Sequence, residues 1–315
     1  KTTQTDPIFP GNFNNALSLS SYWYATEKAI DTVVAQWFGD WTDTFSTEVK
    51  VSSRNYSSAP ALNANTPEVS LVYSGTAPAG TATGDRTLRF GTEETRQFND
   101  LQTKTSNLFA AGTLTLNDHE IKGGVDIERN KIINAFVRGS SGRYTFRGTD
   151  PVALFVAGNP TSYTVQAPLP GRTLQDGAAD WTMTNTGVFL QDSWKVSKQL
   201  TVTGGVRMDV LGTNDRPIAN AAASAPVVAG NPATGARQTG GFGYDNTQTL
   251  DGEKLFQPRL GFNYVLDAEE KSKAQLRGGL GLFQGSAANV WLTNPFQTTG
   301  AAVTTYACGT SGNPA

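Results

Sequence analysis

The feature that most constrains the fold of this chain is an alternation of apolar and polar residues that recurs in several segments. Between residues 200 and 210 the even positions are Leu, Val, Gly, Val, Met and Val, and the odd positions are Thr, Thr, Gly, Arg and Asp. Residues 41–51 and 121–128 follow the same rule. A period of two places the two sets on opposite faces of a β-strand, whereas an amphipathic helix needs apolar residues three and four positions apart. The pattern predicts an all-β chain.

The links between these strands supply the second constraint, because four are tight and the others are long. The tight links are at residues 40–42, 117–118, 197–199 and 268–271. The long links, rich in Gly, Pro, Ala, Ser and Thr, are at 56–96, 137–180, 213–255 and from 285 onward. A further short loop is expected near 25–28, on the side of the long links. The predicted strands are residues 12–24, 29–39, 43–55, 97–116, 119–136, 181–196, 200–212, 256–267 and 272–284.

The alternation of short and long links indicates a membrane barrel. Long loops without structure are uncommon in compact soluble domains, whereas outer-membrane barrels have short periplasmic turns and long extracellular loops. No segment approaches the roughly 20 apolar residues that a membrane helix requires, but a barrel strand needs only about 10 residues with one apolar face. We therefore predict an antiparallel up-and-down transmembrane β-barrel, of which this chain supplies a part.

One residue departs from the alternation. Asp192 falls among the apolar positions of residues 188–196, where a carboxylate would be unfavourable at the middle of a bilayer. We expect it to lie near a membrane interface or beside a β-bulge. Aromatic residues near the predicted strand ends, among them Trp37, Trp41 and Trp194, match the aromatic girdles of such barrels.

The sequence offers little material for catalysis or metal binding. It contains one histidine, His119, and one cysteine, Cys308, too few for a histidine zinc site, a Ser-His-Asp triad or an internal disulfide. We predict no catalytic, cofactor or metal site and no enzymatic activity. His119 and the acidic pairs at 93–94 and 269–270 are interpreted as solvated. Cys308, in a turn-like run, is either a free thiol or half of a loop disulfide whose partner lies beyond residue 315.

The better functional candidates are charged residues on the polar faces of the strands. We expect them to point into the lumen of the barrel, where they either pair with a plug or line a substrate path. A net charge of -2 without a basic cluster predicts no nucleic-acid partner. The candidate lumen-facing residues are Lys50, Lys122, Asp126, Glu128, Lys195, Arg207, Asp209 and Arg277.

Three segments resemble TonB-dependent outer-membrane receptors. Residues 186–209 read TGVFLQDSWKV, a three-residue turn, and LTVTGGVRMD, which is similar to a recurrent hairpin of that family. Residues 257–264 and 276–283, QPRLGFNY and LRGGLGLF, resemble the Oar-like branch. The run DHEIKGG at 118–124 fits the same barrels. The resemblance covers roughly residues 30 to 300.

The resemblance implies a barrel of about 22 strands with a plug inside it, and energy supplied through a TonB box by a TonB-type inner-membrane complex. Roughly nine strands cannot close such a barrel, and an open edge in lipid leaves backbone groups unsatisfied. We therefore expect residues 1–315 to be part of one barrel domain, with the plug and N-terminal domains absent from this chain. The expected partners are outer-membrane lipid, the plug domain of the same protein, the inner-membrane complex and a substrate.

The leading functional hypothesis is a TonB-dependent receptor in the outer membrane of a Gram-negative bacterium. It would take up or handle a large substrate, such as an oligosaccharide, a peptide or a siderophore, through its plugged barrel. The second hypothesis is a non-transporting adhesin or surface-binding barrel that uses loops 56–96 and 213–255. A plug and a TonB box upstream favour transport over adhesion. The third is a soluble all-β binding module, which predicts solubility without detergent.

Overall fold

The computed structural model describes residues 1–11, 15–75, 79–80, 84–266, 274–285 and 289–309. Its helices are α1 (Pro151–Val156), α2 (Ala221–Ser224) and α3 (Asn289–Gln297). Its strands are β1 (Thr2–Ile8), β2 (Ala16–Ser18), β3 (Tyr24–Thr42), β4 (Phe45–Leu62), β5 (Glu68–Tyr73), β6 (Arg86–Phe90), β7 (Asn99–Leu116), β8 (His119–Phe136), β9 (Arg143–Gly148), β10 (Ser162–Pro168), β11 (Ala179–Lys195), β12 (Leu200–Gly212), β13 (Val227–Val228), β14 (Thr239–Gly240), β15 (Lys254–Val265), β16 (Gln275–Gly281) and β17 (Val303–Cys308).

The long strands form one nine-stranded sheet, called here the main sheet. Its order is β1-β3-β4-β7-β8-β11-β12-β15-β16, and every neighbouring pair is antiparallel. Each long strand therefore pairs with the next long strand in the sequence, which is the up-and-down order of a barrel. In the described part of the chain β1 and β16 are the two edges, so the sheet is an open arc. The predicted all-β, antiparallel barrel fold is confirmed in this partial form.

The tight turns lie together at one end of the main sheet, called here the hairpin end. Asn117, in the turn between β7 and β8, has a φ of 53°, a left-handed conformation that asparagine tolerates well. The hydroxyl of Ser197 accepts hydrogen bonds from the backbone N–H groups of Gln199 (3.2 Å) and Leu200 (3.1 Å). The links at 117–118 and 197–199 are therefore confirmed as turns. The long links leave from the opposite end, called here the loop end.

The first part of the sheet corrects the sequence prediction. Residues 12–24 do not form the first long strand, and the short loop expected near 25–28 lies inside β3. The first strand is β1, a polar segment with little alternation that pairs with residues 24–30 of β3 and adds an ion pair from Lys28 to Asp6 at 2.8 Å. The turn after β3 is at 43–44 instead of 40–42. The predicted turn at 268–271 lies outside the described residues.

The long links were predicted to be loops, but three of the four contribute to a second sheet of six short strands, called here the loop sheet. Its order is β17-β10-β9-β5-β6-β2, and β2 comes from the link between β1 and β3. The link at 213–255 instead forms a two-stranded sheet of β13 and β14. The core of the loop sheet contains Val69, Leu71 and Phe146, and Phe155 of α1 packs edge-on against Phe146 at 5.3 Å. Cys308 also lies in this sheet, in β17 opposite Tyr163, and is an exposed free thiol within the described residues instead of part of a turn.

The helix α3 covers the loop end of the main sheet. Leu292 and Phe296 of α3 pack on a buried cluster that contains Ile132 of β8 and Trp181 of β11. The rings of Trp181 and Phe296 stack at 5.1 Å, and Trp181 Nε1 donates to Thr293 Oγ1 at 3.3 Å. These contacts fix one long link against the sheet. Within the described ranges, none of the helices has the length and apolar character required to cross a membrane.

Glu68 is a buried carboxylate in the loop sheet, with a side chain that is only 4% exposed. Its Oε2 accepts hydrogen bonds from the Tyr22 hydroxyl (3.3 Å) and the Glu94 backbone N–H (2.8 Å). Burial raises the pKa of Glu68 above its ordinary value, and the negative charge of Glu94 adds to this effect. The Glu94 N–H and Arg143 oppose the rise without cancelling it. The pair at 93–94 is itself partnered and not freely solvated as predicted, since Glu94 bridges Arg138 and Arg143.

We expect the loop sheet to lose stability relative to the variant Glu68→Gln as the pH rises. A raised pKa means that the folded state holds this proton more tightly than the unfolded state. The stabilisation is therefore complete below about pH 4.3, the ordinary value for glutamate, and is lost as the pH rises through the folded pKa. Hydrogen exchange of the β5 and β9 amides, compared between wild type and variant at each pH, measures this change.

Asp251, in the link between β12 and β15, provides a control of opposite sign, for which hydrogen exchange is measured at the Thr213 amide. The Thr213 N–H donates to Asp251 Oδ1 at 2.9 Å, and Arg216 lies 3.1 Å from its Oδ2. Both interactions lower the pKa of Asp251, so its contribution is present at neutral pH and is lost as the pH falls. The pH trends of Glu68→Gln and Asp251→Asn, each relative to wild type, should therefore run in opposite directions. Parallel trends would contradict the burial of Glu68.

Candidate functional site

The registers of the main sheet sort its side chains onto two faces. One row of directly opposed residues runs from Lys50 through Phe109, Asp126 and Gly187 to Asp209. Directly opposed residues share a face, so this row defines the face that we call the polar face. Counting by twos along each strand places the other five candidate residues, Lys122, Glu128, Lys195, Arg207 and Arg277, on the polar face too.

The opposite face, called here the apolar face, carries a continuous band of exposed apolar side chains. One row contains Val49, Ala110, Val125, Val188 and Met208. The rows on either side of it add further members such as Val51, which is 46% exposed, and Leu190, which is 54% exposed. A contiguous exposed apolar surface of this extent marks contact with a partner or a membrane. On β4 the band runs from residue 45 to residue 51, about 20 Å at 3.4 Å per residue, close to the apolar band of membrane barrels.

The apolar band ends in register on the side of the loop end. Ser53, Ser106, Arg129 and Thr184 form one continuous row across β4, β7, β8 and β11. The next row outward contains Asn55, Lys104, Lys131 and Thr182. The strands therefore continue beyond the band as a polar extension, as expected of barrel strands that project above a membrane.

Asp192 lies on the apolar face three residues from the hairpin end of β11. The pairing of β11 with β8 and with β12 is continuous across this residue, so there is no bulge, and its position matches the interface alternative. His119 Nδ1 lies 2.7 Å from Asp192 Oδ2, and the His119 ring stacks on Trp194 at 5.4 Å. His119 is therefore a partnered residue and not the solvated turn residue predicted from the sequence. Trp37 and Trp41 lie at the same end of the band.

The most connected part of the polar face is a network centred on Arg207. Arg207 Nε and Nη2 donate to the two carboxylate oxygens of Asp209, each at 2.7 Å, and Nη1 and Nη2 both lie 3.4 Å from Asp126 Oδ2. Asp209 is 2% exposed and also accepts a hydrogen bond from Gln257. Asp126 accepts another from Asn107 Nδ2 at 2.9 Å. The guanidinium thus bridges carboxylates on β8 and β12, across β11.

A glycine on the intervening strand makes room for this bridge. Gly187 lies opposite Asp126 on one side and opposite Asp209 on the other. A Cβ atom added to Gly187 would lie 2.2 Å from Arg207 Nη2 and 2.7 Å from Asp209 Oδ1. The site therefore requires the absence of a side chain at this position.

Replacing Gly187 with alanine is expected to displace the guanidinium and to destabilise the fold by about 1–3 kcal/mol, the usual range for overpacking. Thermal unfolding of the protein in lipid vesicles, followed by tryptophan fluorescence, measures the effect. Gly204→Ala is the matched control, because a Cβ there meets no atom within 4 Å. Equal losses of stability in the two variants would contradict the packing described here.

Two adjacent cavities lie on this side of the main sheet. The first, called here the charged chamber, has a volume of about 570 Å³ and contains the Arg207 network together with Glu128, Asn130 and Asn185. The second, called here the aromatic chamber, has a volume of about 280 Å³ and is lined by Trp181, Trp291 and Phe296 among others. They share four lining residues, namely Met183, Leu211, Leu250 and Leu292. The aromatic chamber and the charged chamber are therefore neighbours.

The other candidate residues lie outside these chambers. Lys50 and Lys122 flank the Phe109 ring at 5.8 and 5.7 Å, and Lys122 also pairs with Glu48 at 3.3 Å. Lys195 is exposed at the hairpin end. Arg277, on β16, donates from Nε to Gln275 at 2.9 Å.

Sequence reasoning missed part of the site. Gln257, 5% exposed, lies opposite Arg207 in register and accepts the Gln284 N–H at 2.6 Å. Gln257 is a polar residue between the apolar residues Phe256 and Pro258, and this pattern could have identified it from the sequence. The helix α3 gave no such signal, because it is short and contains Pro295. Among the described residues, no cluster of three or more His, Cys, Asp or Glu side chains is placed to bind a metal ion.

Two solved structures are similar in part to this chain: the open form of the ferric-catecholate import receptor Fiu from E. coli K12, at 13% identity and a TM-score of 0.41, and the copper transporter OprC, at 14% identity and a TM-score of 0.37. The matches cover 78% and 82% of this chain, and 34% and 30% of those chains. This chain thus spans about a third of their length. No curated protein sequence matches it.

The family assignment rests on a sequence match that covers nearly the whole chain. The sequence matches the family described as outer membrane beta barrel domain over residues 4–314. The antiparallel main sheet, the exposed apolar band and the short turns opposite long links are what this family requires of a strand-built membrane protein. This chain belongs to the outer membrane beta barrel domain family and lies in the outer membrane of a Gram-negative bacterium.

Proposed function

We propose that this chain is the barrel part of a TonB-dependent receptor of the Oar-like type. It takes up or handles a large substrate, such as an oligosaccharide, a peptide or a siderophore, through a plugged barrel. The observation that carries the proposal is the pair of neighbouring aromatic and charged chambers, on the face opposite the apolar band. A surface that only adheres has no need of binding chambers on its inner side.

In this proposal the polar face is the lumen. Because the apolar face contacts lipid, the polar face points away from lipid, and barrels of this type are polar inside. Three of the eight candidate residues are suited to binding a plug. Lys50, Lys195 and Arg277 have no carboxylate partner within the described parts of the chain, so each is available to an acidic residue from another domain. The plug of the same protein and a TonB-type inner-membrane complex are therefore the proposed partners.

The chambers support a substrate with both an apolar or ring-shaped part and polar groups. Trp291 is largely exposed beside the stacked pair of Trp181 and Phe296, and such rings stack on sugars, aromatic side chains or catechols. The charged chamber beyond them contains hydrogen-bond donors and acceptors of both charges. This combination fits each of the three proposed substrate classes, since each has ring-shaped and polar parts.

A second candidate function is adhesion or surface binding without transport. The observation that favours it is the loop sheet, an ordered six-stranded assembly at the loop end. A loop sheet serves an adhesin as a binding platform and a transporter as a substrate-capture surface. The two functions differ in whether the bound molecule crosses the membrane.

Uptake by cells that express the full-length protein tests the proposal. The probes are a fluorescent maltooligosaccharide, a fluorescent ten-residue peptide and a ferric catecholate, each offered with and without an intact TonB-type complex. We expect one probe to accumulate inside the cells in an energy-dependent manner and only to bind the surface when the complex is deleted. Surface binding without accumulation in either strain would overturn the transport proposal and favour the adhesin.

A further inference from the structure

Three cationic side chains lie together on the apolar face, immediately beyond the apolar band. Arg129 lies opposite Ser106 in the row that ends the band, and Lys131 lies opposite Lys104 in the next row outward. Neighbouring strands are about 5 Å apart, and successive rows on one face about 7 Å apart. The three side chains therefore share a small area of surface. We call them the cation cluster.

The cation cluster is unfavourable without an external partner. Lys104 and Lys131 are directly opposed, and like charges in that arrangement destabilise a sheet. Lys131 is paired with Asp180. Lys104 and Arg129 are both exposed, and neither has a carboxylate partner among the residues that the structure describes. Among the described residues, Asp180 is thus the one carboxylate paired with the cation cluster. The cluster keeps a net positive charge and attracts anions.

Other acids near the cation cluster do not neutralise it. Asp31 is separated from Lys104 by Asn55 across β4, and Asp100 lies two rows further out, where it accepts a hydrogen bond from Gln102 at 2.7 Å. Glu128 precedes Arg129 in the sequence but lies on the polar face. The unpaired charge of Lys104 and Arg129 is therefore available to a ligand.

The surroundings of the cation cluster specify what kind of anion fits. Directly below it lie Leu108 and Ile127, opposed members of the apolar band. Beside it a cleft of about 370 Å³ is lined by polar groups that include Asn55, Ser57 and Gln102. Acyl chains suit the apolar residues, sugar hydroxyls suit the amides and the serine, and phosphate suits guanidinium and ammonium groups. A phosphorylated glycolipid has all three parts.

We propose that Lys104, Arg129 and Lys131 bind the phosphate groups of an outer-leaflet glycolipid whose acyl chains lie along Leu108 and Ile127. The long links lie at the loop end, which is the extracellular side of an outer-membrane barrel. The cation cluster is therefore at the height of the outer-leaflet head groups. The lipid anchors this part of the barrel and cancels the repulsion between the opposed lysines.

Native mass spectrometry of the full-length protein in detergent tests this site. The probes are bisphosphorylated lipid A and the same lipid A with both phosphates removed. We expect wild type to prefer the phosphorylated form by about tenfold or more, and Lys104→Gln with Arg129→Gln to abolish the preference. The charge-conserving pair Lys104→Arg with Arg129→Lys should retain it, which distinguishes loss of charge from loss of fold.

The matched control removes two positive charges elsewhere. Lys198 lies in a turn at the hairpin end and Arg237 lies in the link before β14, and both are exposed. Lys198→Gln with Arg237→Gln should leave the preference unchanged. Equal binding of the two lipids by wild type, or an unchanged preference in the Lys104 and Arg129 variant, would overturn the proposal. Displacement of the lipid by millimolar inorganic phosphate would also overturn it, because the ligand would then be a soluble phosphate.

Discussion

Replacing Arg207 with alanine is expected to destabilise the folded protein by about 3–5 kcal/mol, the range found when one partner of a buried ion pair is removed. Asp209 is 2% exposed and would keep only neutral hydrogen-bond partners, Gln257 and Asn185. Asp126 would lose its cation as well, which leaves two carboxylates on either side of Gly187 without a charge between them. Thermal or urea unfolding of the full-length protein in lipid vesicles measures the loss.

Two further variants separate the buried charge from the simple loss of an arginine. Arg237→Ala removes an exposed arginine from the link between β12 and β15 and is expected to change stability by no more than about 0.5 kcal/mol. Arg207→Met combined with Asp209→Leu removes both partners, and well-packed apolar replacements of an ion pair are often neutral. The double variant should therefore recover most of the stability lost in Arg207→Ala. Similar losses for Arg207→Ala and Arg237→Ala would show that the Arg207 network does not stabilise the fold.

Introducing arginine at Val49 is expected to destabilise the membrane-inserted state by about 2–4 kcal/mol, the effect of a cation on the lipid-facing side near the bilayer midplane. Val49 is near the middle of the apolar band, opposite Ala110 and Trp37. Ser57 is on the same strand and the same face, eight residues further toward the loop end. Ser57→Arg is therefore expected to change stability by about 0–1 kcal/mol.

The comparison requires insertion into a bilayer. Both variants are refolded into lipid vesicles, and their unfolding by urea is compared with that of wild type. In detergent, where no bilayer of fixed thickness exists, the difference between the two variants should shrink. If Val49→Arg and Ser57→Arg had equal effects in vesicles, the apolar band would not be the part of the sheet that lies in the lipid.

The main sheet was predictable because the alternation of apolar and polar residues is visible within the sequence of each strand. A strand between lipid and a polar interior must alternate, so residues 119–136 and 200–212 show their structure in any short window of sequence. β1 escaped prediction because it lies at the loop end, where the strands need no apolar side and its residues are mostly polar. The segment 12–24 was wrongly predicted to be a long strand because it contains several aromatic residues, which are common in strands.

The loop sheet could not be predicted from such windows. Its strands are six residues or fewer, apart from β10, and β5 pairs in parallel with β9, which is more than 70 residues away in the sequence. Nothing in a short segment specifies a partner at that distance. Buried Glu68 shows the same limit, because its sequence neighbourhood is that of a surface glutamate and only the fold reveals its burial.

The candidate site was predictable in part. Alternation placed Asp126, Arg207 and Asp209 on one face, but it did not show that they touch. Their contact depends on Gly187, whose missing side chain leaves the space for the guanidinium. The aromatic chamber depends on α3, a short helix in a long link that reaches back to Trp181. Such contacts between distant segments are set by packing in three dimensions.

Spin-label accessibility along β8 tests most directly whether the apolar face meets lipid and the polar face does not. Single cysteines are introduced at residues 121–131 of the full-length protein, with Cys308 replaced by serine, and each spin label is exposed in lipid vesicles to oxygen or to a water-soluble nickel complex. We expect labels at 121, 125 and 127 to respond to oxygen, those at 122, 126 and 128 to be shielded from lipid-dissolved oxygen, and those at 129 and 131 to respond to nickel. Uniform response to nickel at both odd and even positions would contradict a membrane-spanning sheet with one lipid-facing side.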